Sequence, residues 1–198
     1  MTKHLVLASD LSGLLPKLKE ALGGRNGRML HVPTAATGEG WTPDPADLAK
    51  LADEGFEIVS LELADVVDRL PVDALDGFDA VYVGGGNTFF LLRHMKRTGF
   101  FDLVRTAVAS GMLYIGSSAG SVVATPDIGY AEKIDDRTLG DGEDAALGFV
   151  GFSILPHLDH ESMGEAVRAQ FDGWEGGQVF ALTDGQAIVI DGQKIRVL

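Results

Sequence analysis

The feature that most constrains the fold of this 198-residue chain is an alternation of short apolar runs with longer amphipathic stretches. Nine runs rich in Val, Ile, Leu and Tyr have the length and composition of β-strands; they are Leu5–Ala8, Arg28–Pro33, Phe56–Leu61, Ala80–Val83, Leu113–Gly116, Phe149–Leu155, Val179–Leu182, Ala187–Ile190 and Ile195–Leu198. Four amphipathic stretches between the first five runs predict helices; they are Leu14–Leu22, Pro45–Glu54, Thr88–Lys96 and Phe101–Ala109. This alternation predicts a three-layer α/β fold, with helices on both faces of a mostly parallel sheet.

The C-terminal part of the chain has a different pattern. Its last three predicted strands are separated only by turns, Thr183–Gly185 and Asp191–Gly192, which predicts hairpin strands at one edge of the sheet. The chain contains no internal repeat, low-complexity stretch or linker of Pro, Gly and Ser. We therefore expect residues 1–198 to form one domain.

The charge balance and the absence of cysteine exclude several kinds of chemistry. With 16 Lys and Arg against 29 Asp and Glu, the net charge of −13 disfavours nucleic acid or an anionic membrane as a partner. The lack of cysteine excludes disulfides, zinc–thiolate and iron–sulfur sites and a cysteine nucleophile, so any acyl-transfer chemistry must use an oxygen. The sequence indicates neither a signal peptide nor a membrane helix, so we expect a cytoplasmic protein.

One segment, 126–144, is markedly acidic. It holds seven Asp and Glu residues against Lys133 and Arg137, which predicts an exposed loop or flap. We refer to residues 126–144 as the flap.

A predicted strand is followed directly by the sequence Gly116-Ser-Ser-Ala-Gly120. This fits the G-x-S-x-G nucleophile elbow, in which small residues allow a tight turn that exposes the central serine at the edge of the sheet. Ser118 is therefore the candidate nucleophile. The elbow would also direct the N–H of Ala119 at an oxyanion on the carbon that Ser118 attacks.

A second glycine-rich turn, Gly84-Gly-Gly-Asn-Thr88, also lies between a predicted strand and a predicted helix. Consecutive glycines allow positive φ and expose backbone N–H groups, so Gly85 and Gly86 could supply a further oxyanion donor. The turn lacks the spacing of a nucleotide-binding loop. A purely structural turn capped by Asn87 is the alternative to a substrate-binding role for these residues.

A histidine is needed as general base, and His157 follows the predicted strand that ends at Leu155. His160 is its nearest competitor, whereas His31 lies within a strand and His94 on a predicted helix. The cluster of His157, Asp159, His160 and Glu161 is too tightly spaced to favour a metal site, and we expect no metal and no cofactor. Three carboxylates could orient the base; they are Asp184, Asp135 and Asp159.

These residues together resemble the serine peptidases of the dipeptidase E and cyanophycinase family. The resemblance is carried by Val83-Gly-Gly-Gly-Asn-Thr-Phe89, Tyr114-Ile-Gly-Ser-Ser-Ala-Gly120 and Leu155-Pro-His157. It implies a fold like that of class I glutamine amidotransferases, which is flavodoxin-like. It also implies Ser118 as nucleophile, His157 as base, and Ala119 with Gly85 or Gly86 as oxyanion donors.

The resemblance also bears on the acid. The family has a carboxylate in the turn before the next strand, where this chain has Asp184 in place of the usual Glu. A functionally implicated Asp of the family corresponds best to Asp135. An arginine that follows the histidine in the family corresponds to Val167, with Arg168 one position later, so a strict preference for N-terminal Asp is not expected.

The sequence thus predicts a serine-type peptidase that hydrolyses an amide bond in short peptides, with a small peptide as its binding partner. A homodimer is left open. The alternatives are an esterase of the α/β-hydrolase type, for which Asp135 would give the required order of catalytic residues, and a catalytically silent module that binds a small anion.

Overall fold

In the computed structural model, residues 3–42 and 45–198 are described; residues 1–2 and 43–44, which the predicted domain also includes, lie outside the described residues. Within the described part, the chain forms nine strands close to the predicted runs: β1 (His4–Ala8), β2 (Gly27–Val32), β3 (Phe56–Ser60), β4 (Ala80–Val83), β5 (Leu113–Ser117), β6 (Ser153–Leu155), β7 (Val179–Ala181), β8 (Ala187–Asp191) and β9 (Lys194–Val197). The strand predicted from Phe149 begins only at Ser153.

Seven of these strands form one sheet in the order β3-β2-β4-β5-β1-β8-β9. The five strands from β3 to β1 are parallel, and β8 and β9 add to the edge in antiparallel orientation. The predicted α/β class, with a mostly parallel sheet and a hairpin at the C-terminal edge, is confirmed.

The other predicted hairpin, with its turn at Thr183–Gly185, is wrong, because β7 does not pair with β8. Instead β7 pairs in parallel with β6 in a separate two-stranded sheet. The N–H of Ser9 donates to Gln186 O (3.0 Å), which starts β8 alongside β1 rather than alongside β7. The turn 183–185 therefore crosses from the small sheet to the large one and passes over the end of β1.

Helices connect the strands in the described part of the chain: α1 (Leu11–Leu14), α2 (Leu18–Leu22), α3 (Thr34–Gly38), α4 (Pro45–Asp53), α5 (Thr88–Thr98), α6 (Phe100–Ala109), α7 (Ala119–Val122) and α8 (Gly164–Asp172). Helices α4, α5 and α6 lie close to three of the four predicted stretches. The single helix predicted for Leu14–Leu22 is divided by a 3₁₀ turn at Leu15–Lys17, where Pro16 cannot donate a backbone hydrogen bond. Helices α3 and α8 were not predicted. None of the helices in the described part of the chain is long and apolar enough to cross a bilayer.

The sheet separates two hydrophobic cores, as alternation of side chains along each strand requires. In β1, Leu5 and Leu7 belong to one core, while Val6 and Ala8 belong to the other. The first core is completed by α5, α6 and α7, and the second by α1, α2 and α4. The carboxyl ends of β1, β4 and β5 are thereby fixed next to one another at one edge of the sheet, where ligands bind in folds of this kind.

Candidate active site

The turn after β5 holds Ser118 in an unusual backbone conformation. Its φ of 49° and ψ of −112° lie outside the regions that residues with a Cβ normally occupy. The flanking glycines permit this turn, because a Cβ at Gly116 would lie 2.5 Å from Gly120 O, and a Cβ at Gly120 would lie 2.0 Å from Val83 O. The predicted elbow therefore forms, and the residue that carries the strained backbone is the candidate nucleophile.

Three side chains predicted from separate segments meet at this turn. The Oγ of Ser118 lies 2.8 Å from Nε2 of His157, and Nδ1 of the same ring lies 2.7 Å from Oδ1 of Asp184. The His157 side chain is 12% exposed and that of Asp184 is 25% exposed, so both bonds are largely shielded from water. We refer to this hydrogen-bonded chain of Ser118, His157 and Asp184 as the relay.

The other two carboxylates considered from the sequence have different partners. Oδ1 of Asp159 accepts a hydrogen bond from the N–H of Asp184 (2.8 Å) and so supports the turn that carries Asp184. Oδ2 of Asp135 accepts from the N–H of Thr88 (2.8 Å), in the first turn of α5. Burial raises the pKa of the Asp135 carboxyl above its usual value, against the opposing effect of the hydrogen bonds from Thr88.

The glycine turn after β4 lies against the nucleophile. A Cβ at Gly85 would lie 3.1 Å from the Cβ of Ser118, and a Cβ at Gly86, where φ is 128°, would lie 2.2 Å from the backbone of Ala35. Among the described residues, no protein atom accepts a hydrogen bond from the N–H groups of Gly85, Gly86 or Ala119. Gly85, Gly86 and Ala119 also line the cavity beside Ser118. Their N–H groups are therefore available as hydrogen-bond donors to a group bound in the cavity.

Asn87 has a different surrounding from its two glycine neighbours. Its side chain is fully buried, and its Oδ1 caps α5 by accepting from the N–H of Phe90 (2.9 Å). Its Nδ2 donates to Glu39 Oε1 and to the backbone O of Asp136, both at 3.1 Å. The bond to Asp136 connects the start of α5 to the flap, and the bond to Glu39 connects it to the residue after α3. Asn87 is not among the described residues that line the cavity.

The relay opens into a cavity of about 640 Å³. The cavity extends under the flap, where Ala131, Ile134 and Asp135 line it, and reaches α8 at Val167 and Gln170. Aromatic and polar residues that sequence reasoning did not single out also contribute to its wall: Trp41, Thr42, Tyr82, Tyr130, Ser162 and Gln170. None of the described residues that line the cavity is Lys or Arg, whereas Asp10, Glu39, Asp47 and Asp135 do line it.

The position that corresponds to the family's arginine is apolar in this cavity. Val167 is buried and faces the cavity, while the guanidinium of Arg168 donates to Leu158 O (2.7 Å) and is not among the described lining residues. The cavity consequently has no side-chain cation at α8.

Two other histidines, His31 and His160, line the cavity. His31 is buried, stacks on Tyr82 at 5.1 Å and bonds to Ser60 Oγ (3.0 Å). Burial lowers the pKa of His31 to about 4, so its ring in the wall of the cavity is uncharged at neutral pH. His160 lines the cavity and packs edge-on against His157, with ring centroids 5.5 Å apart, but its Nδ1 bonds to Ser162.

The sequence predicted no metal site. Within residues 3–42 and 45–198, no group of three or more His, Asp, Glu or Cys residues is arranged to hold a metal ion.

Comparison with known sequences identifies relatives along nearly the whole chain. Residues 5–198 match peptidase family S51. An uncharacterized peptidase of Listeria monocytogenes is 31% identical over 203 aligned residues, which cover 98% of this chain and 97% of that protein. Peptidase E of Escherichia coli is 37% identical over 150 residues, which cover 75% of this chain and 62% of that protein.

Solved structures give the same result for the fold. The crystal structure of a candidate peptidase E from Listeria monocytogenes superposes with a TM-score of 0.91 at 31% identity, and the match covers 100% of this chain and 98% of that chain. A peptidase from an acI-B1 actinobacterium has a TM-score of 0.70 at 16% identity, which shows a shared fold alone.

Proposed function

Because the chain belongs to peptidase family S51, the dipeptidase E family, we propose that this peptidase is of the serine type and hydrolyses amide bonds in short peptides. The observation that carries the proposal is the relay, in which 2.8 Å separates the hydroxyl from the imidazole and 2.7 Å separates the imidazole from the carboxylate. A nucleophile, a base and an orienting acid connected in this way are the requirements for acyl transfer to a serine oxygen.

In the proposed mechanism, Ser118 Oγ attacks the carbonyl carbon of the peptide while Nε2 of His157 accepts the hydroxyl proton. The carbonyl oxygen becomes an oxyanion, which accepts hydrogen bonds from the free N–H of Ala119 and from Gly85 or Gly86. The protonated imidazole then donates its proton to the leaving amine, and the C–N bond breaks. Water repeats the cycle on the acyl-enzyme and releases the acid.

Asp184 is the carboxylate we assign to the base. It accepts from Nδ1 of His157, which fixes the tautomer that leaves Nε2 free to receive the serine proton. Aspartate is one methylene shorter than the glutamate usual in the family, yet its Oδ1 lies within hydrogen-bonding distance of Nδ1 of His157, at 2.7 Å. The order Ser118, His157, Asp184 along the chain differs from the order in α/β-hydrolases, and this disfavours the esterase alternative.

The substrate follows from the size and charge of the cavity. A volume of about 640 Å³ under the flap fits a short peptide and excludes a folded protein. The described lining contains carboxylates and no Lys or Arg, so an acidic side chain would enter without a counter-ion. We therefore propose that peptides with neutral or basic first residues are cleaved in preference to those with N-terminal Asp.

The test is hydrolysis of a panel of dipeptides X-Ala, where X is Leu, Met, Lys or Asp, by the protein and by Ser118→Ala. We expect Ser118→Ala to lower kcat by about 10³-fold or more without a change in thermal stability. The panel should give the lowest kcat/KM for Asp-Ala.

A matched control is Ser121→Ala, which removes a fully buried hydroxyl that donates to Ala8 O (2.7 Å) and has no recorded bond to a relay side chain. Its activity should stay close to that of the unmodified protein. Unchanged turnover in Ser118→Ala would refute the assignment, and so would a failure of a fluorophosphonate probe to label Ser118. Cleavage of a p-nitrophenyl ester without cleavage of any dipeptide would favour the esterase.

A further inference from the structure

We propose that Ser9, at the end of β1, is a positioning residue that holds all three members of the relay in register. The inference rests on the proposed function, since it assigns Ser9 a role in the same reaction. Ser9 has an exposure of 0% and is not among the residues that the sequence pattern singled out. Its backbone O contacts Ser118, and its hydroxyl contacts both His157 and Asp184.

The backbone of Ser9 fixes the nucleophile turn. The N–H of Ser118 donates to Ser9 O (3.0 Å), and a second, longer bond runs to Ala8 O (3.2 Å). Ser118 has a positive φ, a conformation that costs free energy in a residue with a Cβ. The bonds from the end of β1 supply part of the interaction that keeps the turn in that conformation.

The hydroxyl of Ser9 fixes the other two residues. It accepts the backbone N–H of His157 (2.7 Å) and lies 3.1 Å from Asp184 Oδ1, the carboxylate oxygen that also bonds the imidazole. A hydroxyl has one proton, which Ser9 donates either to Asp184 Oδ1 or to Leu182 O at 3.3 Å. One atom therefore bonds both the backbone of the base and the side chain of the acid.

A hydroxyl is the group that this position requires. His157 has a φ of 67°, so its backbone conformation is strained, and the Ser9 hydroxyl accepts its N–H at a site that is largely shielded from water. Alanine would leave that N–H without its acceptor and Asp184 Oδ1 without one donor. The backbone of Ser9 would still bond Ser118 and Gln186. The substitution therefore tests the contribution of the hydroxyl while the backbone bonds of the strand are kept.

The contacts around Asp184 hold its backbone more firmly than its carboxylate. The turn that carries it packs closely on α1, where a Cβ at Gly13 would lie 2.1 Å from Asp184 O. The N–H of Asp184 is bonded to Asp159 Oδ1. These contacts fix the backbone of the turn, whereas the recorded bonds to the carboxylate come from His157 and Ser9. Without Ser9, the carboxylate would lose one of its two recorded donors.

The experiment compares Ser9→Ala with Ser121→Ala, two substitutions that each delete one buried hydroxyl near the end of β1. We expect Ser9→Ala to lower kcat for a cleaved dipeptide by about tenfold or more with KM changed less than about twofold. The rate of Ser118 labelling by a fluorophosphonate should fall by a similar factor. Ser121→Ala should stay within about threefold in both measurements.

Two further measurements separate positioning from a general loss of packing. The far-downfield proton resonance of the His157–Asp184 hydrogen bond should shift or disappear in Ser9→Ala and persist in Ser121→Ala. In a double-mutant cycle, Ser9→Ala should cost less activity in an Asp184→Asn background than in the unmodified protein, because Asp184→Asn already alters one of the two bonds that the Ser9 hydroxyl makes to the relay. The proposal would be overturned if the activity losses of Ser9→Ala and Asp184→Asn simply multiplied in the double mutant. It would also be overturned if Ser9→Ala raised KM instead of lowering kcat.

If Ser9→Ala does not fold, Ser9→Cys retains a group of similar size that donates and accepts only weakly. Folded Ser9→Cys should label Ser118 more slowly than the unmodified protein, and an equal rate would overturn the proposal. If the proposed function itself is wrong, the result differs, because the fluorophosphonate would then not label Ser118 even in the unmodified protein. Labelling that is normal in both the unmodified protein and Ser9→Ala removes the role of Ser9 and leaves the peptidase assignment in place.

Discussion

Asp184 and Asp135 were both candidates for the acid, and the regions that hold them differ in what they offer a carboxylate. In the relay, Asp184 meets a histidine side chain at 2.7 Å and a serine hydroxyl at 3.1 Å. In the flap, Asp135 meets the backbone N–H of Thr88 at 2.8 Å, at the start of α5. Asp184 therefore faces an imidazole, which can gain and lose a proton, whereas Asp135 faces a peptide N–H, which keeps its proton.

The difference shows that the donor a carboxylate faces, rather than its residue type, decides its role. The relay is connected side chain to side chain, so a change in one member is transmitted to the nucleophile. The flap is connected to the start of α5 by bonds from Asn87 and Thr88 to Asp136 and Asp135, and further along α5 by an ion pair between Lys96 and Glu143. Substitutions in the relay should therefore act on rates, and substitutions in the flap should act on stability.

The largest effect is expected for Asp184→Asn. The side-chain NH2 of asparagine can donate to Nδ1 and so favour the tautomer that carries its proton on Nε2, and the neutral amide does not stabilise the imidazolium. Labelling of Ser118 by a fluorophosphonate should therefore slow by about 10²- to 10³-fold. The matched control is Asp136→Asn, an exposed flap carboxylate whose recorded side-chain bonds are to Thr138. Normal labelling in Asp184→Asn would break the comparison, because the relay would then not depend on its carboxylate.

A smaller effect, on stability, is expected for Asn87→Ala. The substitution removes the cap of α5 and the two bonds to Glu39 and Asp136, so the free energy of unfolding in urea should fall by about 1–3 kcal/mol. Asn26→Ala, at an exposed position, serves as the control and should change it little. An Asn87→Ala protein of unchanged stability but raised KM would instead support the substrate-binding role predicted from the sequence.

The smallest effect on the relay is expected for Asp135→Asn, where labelling of Ser118 should stay within about fivefold, because an amide oxygen can still accept from Thr88. The substitution should instead change how the free energy of unfolding depends on pH. Burial raises the pKa of Asp135, so its contribution to stability is present below about pH 4, where an unfolded Asp titrates, and is lost as the pH rises through the raised value.

Asparagine does not ionise, so its contribution to stability is not lost as the pH rises. The free energy of unfolding of Asp135→Asn, minus that of the unmodified protein, should therefore increase as the pH is raised from about 4 towards 7. Urea unfolding at a series of pH values measures this difference. A flat difference would show that Asp135 is not held in a desolvated site, and a hundredfold loss of labelling would move the catalytic acid to the flap.

Much of the fold was predictable because its signals are local. The apolar runs gave the strands to within a few residues, and the small residues at 116–120 gave the elbow, since only small side chains allow the turn. The hairpin predicted at Thr183–Gly185 failed because two strands joined by a short turn look the same in sequence whether or not they pair. Helix α8 was missed because it buries little apolar surface of its own, with Val167 as its one large buried side chain.

The site was predicted less completely. Ser118 and His157 could be found because each follows a strand whose end lies at a known edge of the sheet. The family resemblance favoured Asp184 as the acid but left Asp135 open, and Ser9 gave no signal, since a serine after a strand is common in any α/β protein. The role of Ser9 depends on contacts of its hydroxyl with His157 and Asp184, which lie more than a hundred positions away along the chain.

The amino-acid sequence by itself determined the class of the fold, the elbow and the candidates for nucleophile and base, because hydrophobic periodicity and small-residue turns act over a few neighbouring residues. The tertiary structure alone decided which carboxylate faces the imidazole, which backbone N–H groups remain free and which serine connects the three relay residues. The physical reason is that a hydrogen bond is fixed to within a few tenths of an ångström by the packing of distant segments, and no short stretch of sequence contains that packing.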